Sequence, residues 1–407
     1  VYPDRTVHTG LLEYKNVYRP VRVVSYDKES GELVLHNYMD FDDLKDYVKI
    51  SYELTQDGLV ISKGILSEFS VAPHGEGKTN LKINVPENGK CYLKLIYHLK
   101  KELPLLDEDH ILGFDEIEVS KEDTKCKLAE KWIPKTVVDS ELQVNENDTQ
   151  IHIKGREFAY TIDKRTALFT EMKFAGREYL NHPMELNIWR APTDNDMYIK
   201  SEWKKAHYDK AYTRAYTTEV VQGKHGVKIT SHASVVAETV QKILDVTITW
   251  KIEAAGKIDA DIAVTKDDEF PDLPRFGVRM FLDKKLSAVR YFGMGPQESY
   301  CDKHQAASHG LYRADVGDLH EDYIRPQENG SHYDCEYVEL NNSRYGIVAS
   351  AEKAFSFNAS YYTQEELEKK THNYELIESD SVVFCVDYAL NGIGSNSCGP
   401  VVLEQYR

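Results

Sequence analysis

The stretch that decides the fold is YFGMGPQESY at residues 291–300, and a second stretch, YIRPQENG, follows at residues 323–330. Glycine can adopt backbone angles that other residues avoid, and proline fixes its own φ, so Gly293, Gly295 and Pro296 predict a tight turn. A run of this kind holds neighbouring side chains at one place on a sheet. We therefore expect the side chains around this turn to be held together on a β-rich framework.

The first third of the chain alternates apolar and polar residues, which is typical of strands with one buried face. The alternation covers residues 48–54, 81–85 and 93–99. Residues 56–58 read QDG, which is a turn signal, and such signals recur at the spacing of a β-sandwich. The pattern predicts an antiparallel β-sandwich that occupies residues 1–133.

The remaining chain repeats the alternation on a larger scale. The apolar residues alternate at residues 151–153, 244–252, 258–264 and 382–386. A charged run and Pro134 end the first part, so we place a boundary there and predict a second, larger sandwich at residues 134–407. The predicted fold class is all-β.

Only two segments predict helices. Apolar residues recur at helical spacing over residues 199–210. Thr363 and Glu366 form the capping-box pattern, in which each side chain accepts a hydrogen bond from the backbone of the other, so a short helix is expected after Thr363.

The charge and the apolar runs exclude two classes of partner. The 407 residues carry a formal net charge of −17, and an acidic surface repels nucleic-acid phosphates and anionic lipids. No apolar run approaches the ~18 residues of a membrane-spanning helix. We therefore expect neither a nucleic acid nor a membrane as partner.

The cysteines and histidines show no metal-ligand spacing. None of the six cysteines forms a C-x-x-C pair, and His304, His309 and His320 are spaced neither as a helical pair nor as a zinc finger. We assign no metal ligand in this chain. Sparse cysteines favour a reducing compartment over a disulfide framework, so a cytoplasmic location is expected.

Five stretches, in the same order, resemble family 2 β-galactosidases. DRTVHT at residues 4–9 resembles the start of the immunoglobulin-like domain of that family, whereas the other four resemble its terminal domain. These four are WRAPTDND at 189–196, the two stretches quoted first, and GIGSNSCGP at 392–400. The resemblance implies an immunoglobulin-like β-sandwich followed by a large supersandwich, a fold shared with galactose mutarotases.

The resemblance also implies an activity that this chain would not have alone. Members of the family hydrolyse terminal β-D-galactosides with retention, through a galactosyl-enzyme intermediate. Their N-terminal sugar-binding domains and catalytic (β/α)8 barrel would lie before Val1, so this chain is expected to be a fragment or a naturally separate small subunit. Both catalytic glutamates would lie on the barrel, as would most ligands of Mg2+ and, often, Na+. We therefore assign no catalytic residue here, and we expect a homo-oligomer only when the enzyme is complete.

Two glutamates in the distinctive stretches have two interpretations. Glu298 and Glu328 could act as an acid or a base, since glycoside hydrolysis needs two carboxyl groups. Each also lies in a tight loop, where a carboxylate commonly accepts backbone N–H bonds or pairs with an arginine. We favour the structural interpretation.

We expect the substrate-binding residues to lie in two loops. Asp194, Asn195 and Asp196 could bind sugar hydroxyls or start a helical turn, and the resemblance places this loop beside the mouth of the barrel's active site. The resemblance also implies that the loop at residues 394–400 reaches the active site, so Asn396 and Cys398 complete the predicted set. Some relatives carry a stacking Trp at the position of Cys398, and Cys offers no ring, so we expect either weaker binding of glucose as the second sugar or a stacking platform from another residue. Cys398 could equally be a buried structural thiol.

Two other functions remain open at this point. A stand-alone aldose 1-epimerase would need a histidine and a carboxylate that converge on the concave face of the sheet. A carbohydrate-binding or assembly module would need only a surface.

Overall fold

The computed structural model describes residues 1–121, 126, 128–131, 142–394 and 402–407 of the chain. Every strand in these residues pairs antiparallel with its neighbours, and the described helices are short. The predicted all-β fold class is confirmed. None of the helices in the described residues is long and apolar enough to cross a membrane.

Residues 1–121, which we name the first unit, form two facing sheets. β1, β2 and β5 make a three-stranded sheet, and β4, β3, β6 and β7 make a four-stranded sheet in that order. The core between them buries side chains such as Leu33, Ile50 and Leu95. Seven strands in sheets of three and four match an immunoglobulin-like sandwich. The elements are α1 (Thr9–Val17), β1 (Val21–Tyr26), β2 (Glu32–Asn37), α2 (Leu44–Tyr47), β3 (Val48–Gln56), β4 (Leu59–Leu66), β5 (Glu76–Asn80), β6 (Cys91–Leu99) and β7 (Ile111–Glu118).

One predicted strand of this unit is wrong. Residues 81–85 form no strand, because the pairing of β5 with β2 ends at Asn80. Leu81 is nonetheless buried, and Ile83 and Val85 pack against the same core. Side chains alternate along an extended backbone whether or not a neighbouring strand is hydrogen-bonded to it. The alternation of apolar residues therefore predicted which side chains are buried, but not that the segment pairs with another strand.

Residues 142–394 and 402–407, the second unit, contain three sheets around one core. The strand orders are β12-β11-β10-β9-β8, β14-β15-β16-β17 and β13-β18-β23-β22-β21-β19-β20. One continuous hydrophobic cluster contains buried side chains from all three sheets, such as Phe169, Trp250 and Phe384. Such an arrangement is a large sandwich. The elements are β8 (Gln143–Glu146), β9 (Gln150–Lys154), β10 (Phe158–Asp163), β11 (Leu168–Phe174), β12 (Arg177–Glu178), β13 (Leu180–Asn187), α3 (Ile199–Lys205), β14 (Tyr212–Gln222), β15 (Gly226–Val236), β16 (Leu244–Glu253), β17 (Ile258–Lys266), β18 (Arg275–Asp283), β19 (Ala288–Gly295), β20 (Ser308–Asp315), β21 (Ser331–Asn341), β22 (Gly346–Ser360), α4 (Gln364–Lys369) and β23 (Ser381–Leu390).

The predicted helices are present with one change each. The helix near residues 199–210 ends at Lys205, because His207 takes a left-handed conformation at φ 58° before a short 3-10 turn. The Thr363 hydroxyl accepts from the Glu366 N–H at 3.1 Å, as the capping box requires. The Glu366 carboxylate instead accepts from the Ile377 N–H at 2.9 Å, so it fixes the segment after α4.

The glycines of residues 291–300 matter because they leave room for neighbouring side chains, and not because they adopt unusual backbone angles. Gly293 and Gly295 lie in β19 and neither has a positive φ, so the expected special conformation is wrong. A Cβ at Gly293 would overlap Cys335, and one at Gly295 would overlap the Tyr291 hydroxyl. These glycines let the neighbouring side chains approach the strand closely. The bond between Gly295 and Pro296 is cis.

The predicted boundary at Pro134 lies outside the described residues, so the domain limits remain a prediction. The two units meet along β19, β20 and β21. Tyr92 of the first unit packs with Phe292 and Tyr337 of the second. The Leu311 N–H donates to the Gly58 carbonyl at 3.3 Å. The two units are thus joined by apolar and backbone contacts.

Candidate functional site

Arg190 is the centre of the polar cluster at the end of β13. Its Nε and Nη2 donate to the two carboxylate oxygens of Asp196 at 3.1 and 2.7 Å. Its Nη1 and Nη2 also donate to the carbonyls of Asn391 and Gly392 at 2.5 and 3.1 Å. The guanidinium is fully buried beside the Trp203 ring. A buried arginine is tolerated only when its donors are satisfied, and here that requirement joins two distant loops.

Residues 194–196 form a 3-10 turn, and each of the three predicted side chains has a different position. Asp196 is fully buried and also accepts from the Thr193 N–H at 2.9 Å, so it caps the turn. Asn195 donates to the Ile393 carbonyl at 2.6 Å. Asp194 is exposed and contacts Gln327. Of the three, Asp194 alone presents a carboxylate to solvent.

Residues 391–394 are held from two sides. Arg190 and Asn195 bind their carbonyls, as described above, and the Asp302 carboxylate accepts from the N–H groups of Ile393 and Gly394 at 3.0 and 2.7 Å. A Cβ at Gly392 would lie 2.6 Å from an Asp302 oxygen, so this position needs glycine for close approach. Asn396 and Cys398 lie outside the described residues, and their predicted role stays a prediction. The segment that leads to them is anchored up to Gly394.

A second buried network lies beneath the first. Arg275 donates to both oxygens of Asp387 at 3.1 and 2.6 Å and to Glu328 at 2.9 Å. The other oxygen of Glu328 accepts from the Ala191 N–H at 3.1 Å. All three charged side chains are essentially inaccessible to solvent. Burial raises the pKa of Glu328 and of Asp387, although the Arg275 guanidinium acts to lower both. Glu328 therefore ties residues 323–330 to residues 189–196.

Glu298 has a different set of partners. Its Oε1 accepts from Lys303 Nζ at 2.6 Å, from the Tyr323 hydroxyl at 2.5 Å and from the Thr9 hydroxyl at 3.0 Å. Its Oε2 accepts from the Gly330 N–H at 2.9 Å and from a tyrosine hydroxyl. Although burial acts to raise it, the Lys303 ammonium and these hydrogen bonds hold the pKa of Glu298 below its ordinary value.

The contacts of both glutamates favour the structural interpretation. Glu298 and Glu328 are buried, and all four of their carboxylate oxygens accept hydrogen bonds from the protein. A general acid or base must reach the proton it moves. Gly330 completes the arrangement around Glu298, because its φ of 70° is one that glycine adopts without strain.

Two buried histidines of the second unit have settings that do not suit the acid or base of an epimerase. His309 lies between Glu116 at 2.7 Å and Asp334 at 3.0 Å, but it is buried where the units meet, stacked on Tyr92. The two carboxylates overcome its burial and raise its pKa to about 9. His332 is fully buried, and burial lowers its pKa to about 4. An open sugar site would present its acid or base to the ligand.

A cleft of about 280 Å3 opens beside the 194–196 turn. Its charged lining includes Lys204, which pairs with Glu368 at 2.6 Å and Asp209 at 3.0 Å. Such groups can bind hydroxyls of a sugar or polar groups of a neighbouring domain. The lining residues are Pro192, Lys200, Ser201, Lys204, Arg325, Pro326 and Glu368. In the described part of the chain, no three His, Cys, Asp or Glu side chains are placed to share a metal ion.

Sequence reasoning missed the charged residues that hold this region together. Arg190 was quoted within its stretch but given no role, and Arg275, Asp302 and Asp387 were not considered. Asp387 left a usable signal, because it interrupts the apolar strand VVFCVDYAL, and a charge inside a buried strand requires a partner. The identity of that partner had no signal in the local sequence.

Comparison with known proteins assigns the two units to one kind of enzyme. A family model described as β-galactosidase small chain matches residues 154–407, and one described as β-galactosidase domain 4 matches residues 33–120. The whole chain aligns with a β-galactosidase of Actinobacillus pleuropneumoniae at 44% identity and with one of Staphylococcus xylosus at 32% identity. A β-galactosidase of Lactobacillus delbrueckii subsp. bulgaricus is 28% identical over the whole chain.

The chain covers 39–40% of the length of these relatives. It therefore corresponds to a part of a β-galactosidase, and the relatives contain further polypeptide. Because the small-chain model alone matches more than half of the residues, and both units match in order, the chain belongs to the β-galactosidase small chain family.

Proposed function

We propose that this chain is the C-terminal part of a β-galactosidase that hydrolyses terminal β-D-galactosides with retention of configuration. The observation that carries the proposal is the alignment of the entire chain, across both units, with β-galactosidases of which it covers only two fifths. The complete enzyme would contain sugar-binding domains and a catalytic barrel in the remaining three fifths, and it would assemble as a homo-oligomer in the cytoplasm.

The proposal places bond cleavage outside this chain. A retaining glycosidase needs two carboxyl groups ~5 Å apart that face the substrate. Glu298 and Glu328, the glutamates of the two distinctive stretches, are buried and hydrogen-bonded at every carboxylate oxygen, which supports a structural role for both. The nucleophile, the acid/base and the Mg2+ and Na+ ligands would belong to the barrel. This chain alone would be inactive.

The role we assign to this chain is to hold a loop at the aglycone subsite. Residues 391–394 are bound by Arg190, Asn195 and Asp302, so the segment that follows starts from a fixed base. Within the proposed substrate-binding set, Asn396 and Cys398 would contact the second sugar. Asp194 would line the edge of the subsite, and Asn195 and Asp196 would position the loop.

The activity is tested with a hybrid enzyme, in which this chain replaces the matched region of the Actinobacillus pleuropneumoniae β-galactosidase. We expect the hybrid to hydrolyse a nitrophenyl β-galactoside and the isolated chain not to. Proton NMR should detect β-galactose as the first product anomer. Turnover by the isolated chain that is lost in Glu298→Gln or Glu328→Gln would contradict the proposal.

The subsite role is tested with Asn195→Ala in the hybrid. The substitution removes one hydrogen bond to the base of the loop, which is worth about 1 kcal/mol, so the KM for lactose should rise about fivefold. The kcat for nitrophenyl β-galactoside should stay within about twofold, because that leaving group needs no sugar subsite. Asn181→Ala is the matched control, since Asn181 also donates to a backbone carbonyl, that of Asp380. An equal change in both variants would exclude the positioning role.

A further inference from the structure

Exposed aromatic side chains lie on the outer face of α1, beside a further exposed ring on the residue that follows β2. Leu11, Tyr14 and Tyr18 are 41%, 56% and 68% exposed, and their spacing of three and four residues puts them on one helix face. Tyr38, which follows β2, is 52% exposed. We name these four residues and Arg22 the α1 patch.

Arg22 joins the two parts of the α1 patch. Its Nη2 donates to the carbonyl of Val17 at 2.6 Å, at the end of α1, and its guanidinium lies 5.2 Å from the centre of the Tyr38 ring. The rings of Tyr14 and Tyr18 are 4.3 Å apart. Arg22 Nε is buried and has no hydrogen-bond partner among the described residues. Arg22 therefore links the end of α1 to the Tyr38 ring.

The opposite face of α1 is fixed to the second unit. Thr9 donates to Glu298, and the Asn16 side chain donates to the Gln305 carbonyl at 2.8 Å. The Glu13 carboxylate accepts from the N–H groups of Gln305 and Ala306, both at 2.8 Å. A helix of nine residues is marginal in water by itself, so these contacts hold the α1 patch in place. A surface that is already ordered loses little conformational entropy when it binds.

The composition of the α1 patch is that of an interface. Tyrosine and arginine are enriched in protein interfaces and dominate their binding energy, whereas single exposed apolar residues are ordinary. Here three tyrosines and one arginine are grouped with a leucine. Arg22 also gives the patch a positive charge on a chain whose net charge is −17. Both features suit a partner surface that is apolar and offers a carbonyl or carboxylate.

We infer that the α1 patch docks the remaining part of the β-galactosidase polypeptide. About three fifths of the length of the relatives lies outside the part that this chain matches, and that polypeptide needs a surface to dock on. The α1 patch is ordered, aromatic and positively charged. In the complete enzyme Tyr14, Tyr18 and Tyr38 would be covered and the Arg22 guanidinium would lie close to the partner. The inference rests on the proposed function.

The test compares amide hydrogen exchange in the isolated chain and in the hybrid enzyme. Peptides that cover residues 9–18 and 36–40 should exchange at least about tenfold more slowly in the hybrid, because docking adds protection that the isolated chain lacks. Residues 36–40 are well separated from the junction before Val1, so their protection would not be a local effect of joining the chains.

The variant is Tyr14→Ser with Tyr18→Ser, made in both proteins. Since both rings are exposed, the isolated chain should keep its Tm within about 2 °C. The hybrid should lose the added protection and at least about tenfold in galactosidase activity. Tyr216→Ser with Tyr374→Ser is the matched control, because these two tyrosines are equally exposed and lie in the second unit. The control should change neither readout.

The outcomes separate the patch from the proposed function. An active hybrid with unchanged exchange over α1 would overturn the docking assignment and leave the function intact. An inactive hybrid with a protected α1 would support docking and contradict the activity, and an inactive hybrid with an unprotected α1 would overturn both. A concentration-dependent dimer of the isolated chain that Y14S/Y18S abolishes would assign the patch to a second copy and overturn our assignment.

Discussion

Glu298 and Glu328 occupy corresponding places in the two distinctive stretches, yet their surroundings shift their pKa values in opposite directions. Glu298 lies where residues 1–17 meet the second unit, and Lys303 serves it alone among the carboxylates, so its pKa is lowered. Glu328 lies inside the second unit, where burial outweighs Arg275, which it shares with Asp387, so its pKa is raised. Burial alone therefore does not decide the direction of the shift. The cation and the hydrogen bonds around Glu298 outweigh burial, and those around Glu328 do not.

Removing Arg275 should have the largest effect. Arg275→Met leaves Glu328 and Asp387 buried without a cation, which costs about 3–5 kcal/mol of unfolding free energy. Urea denaturation would measure the loss. Arg279→Met is the matched control on the same strand, because the partners of Arg279, Glu185 and Glu365, are half exposed and can regain water. Equal losses in the two variants would show that burial of the carboxylates does not matter.

His309 extends the comparison to a cation that can lose its charge. Its pKa of about 9 in the folded chain lies above the ordinary 6.5, so its stabilisation is complete below pH 6.5 and disappears as the pH rises towards 9. Unfolding free energy should fall by roughly 2–3 kcal/mol over that window.

The pH dependence can be assigned by substitution. His309→Gln should remove most of the fall between pH 6.5 and 9, measured by urea denaturation at each pH. His74→Gln, at an exposed histidine paired with Asp40, should leave the fall as in the wild type. Lys90, His304 and Glu336 act on Asp334, and Lys94 acts on Glu116, so an unchanged fall in His309→Gln would assign the dependence to these groups.

Neutralising each glutamate gives the smallest and most direct test. Glu298→Gln leaves Lys303 without its carboxylate and should cost about 2 kcal/mol, since hydrogen bonds to charged groups are worth about 1.5–3 kcal/mol. Glu328→Gln should cost about 1 kcal/mol or less, because Arg275 keeps Asp387. The two variants keep the same side-chain shape, so each is the control of the other. A larger loss of unfolding free energy in Glu328→Gln than in Glu298→Gln, measured by urea denaturation, would contradict the contrast between the two glutamates.

The loss of stability at acidic pH offers a qualitative check on the contrast between Glu298 and Glu328. Because the folded pKa of Glu298 is lowered, its stabilisation is present above pH 4.5 and is lost as the pH falls below that value. Glu298→Gln should therefore flatten the acid loss of stability relative to the wild type. Glu328→Gln should not flatten it, because the pKa of Glu328 is shifted the other way.

Much of the local structure could be predicted from the sequence. The alternations at residues 48–54, 93–99 and 244–252 lie within β3, β6 and β16, and Thr363 caps α4. Each of these depends on residues close in the chain. The alternation at residues 382–386 also marks a strand, β23, which pairs between β18 and β22 in the sheet interior.

The sequence by itself determined the buried faces of several extended segments, the helices that begin at Ile199 and Gln364, and the acidic charge, because period, caps and composition are local properties. Only the tertiary structure decided which residues meet: Glu298 with Thr9 and Lys303, Arg275 with Glu328 and Asp387, and residues 81–85 with no strand beside them. These contacts follow from the order of strands in the sheets. The fold brings together Thr9 and Glu298, which are 289 positions apart, and Arg275 and Asp387, which are 112 positions apart, and the pattern of any one segment does not record such pairs.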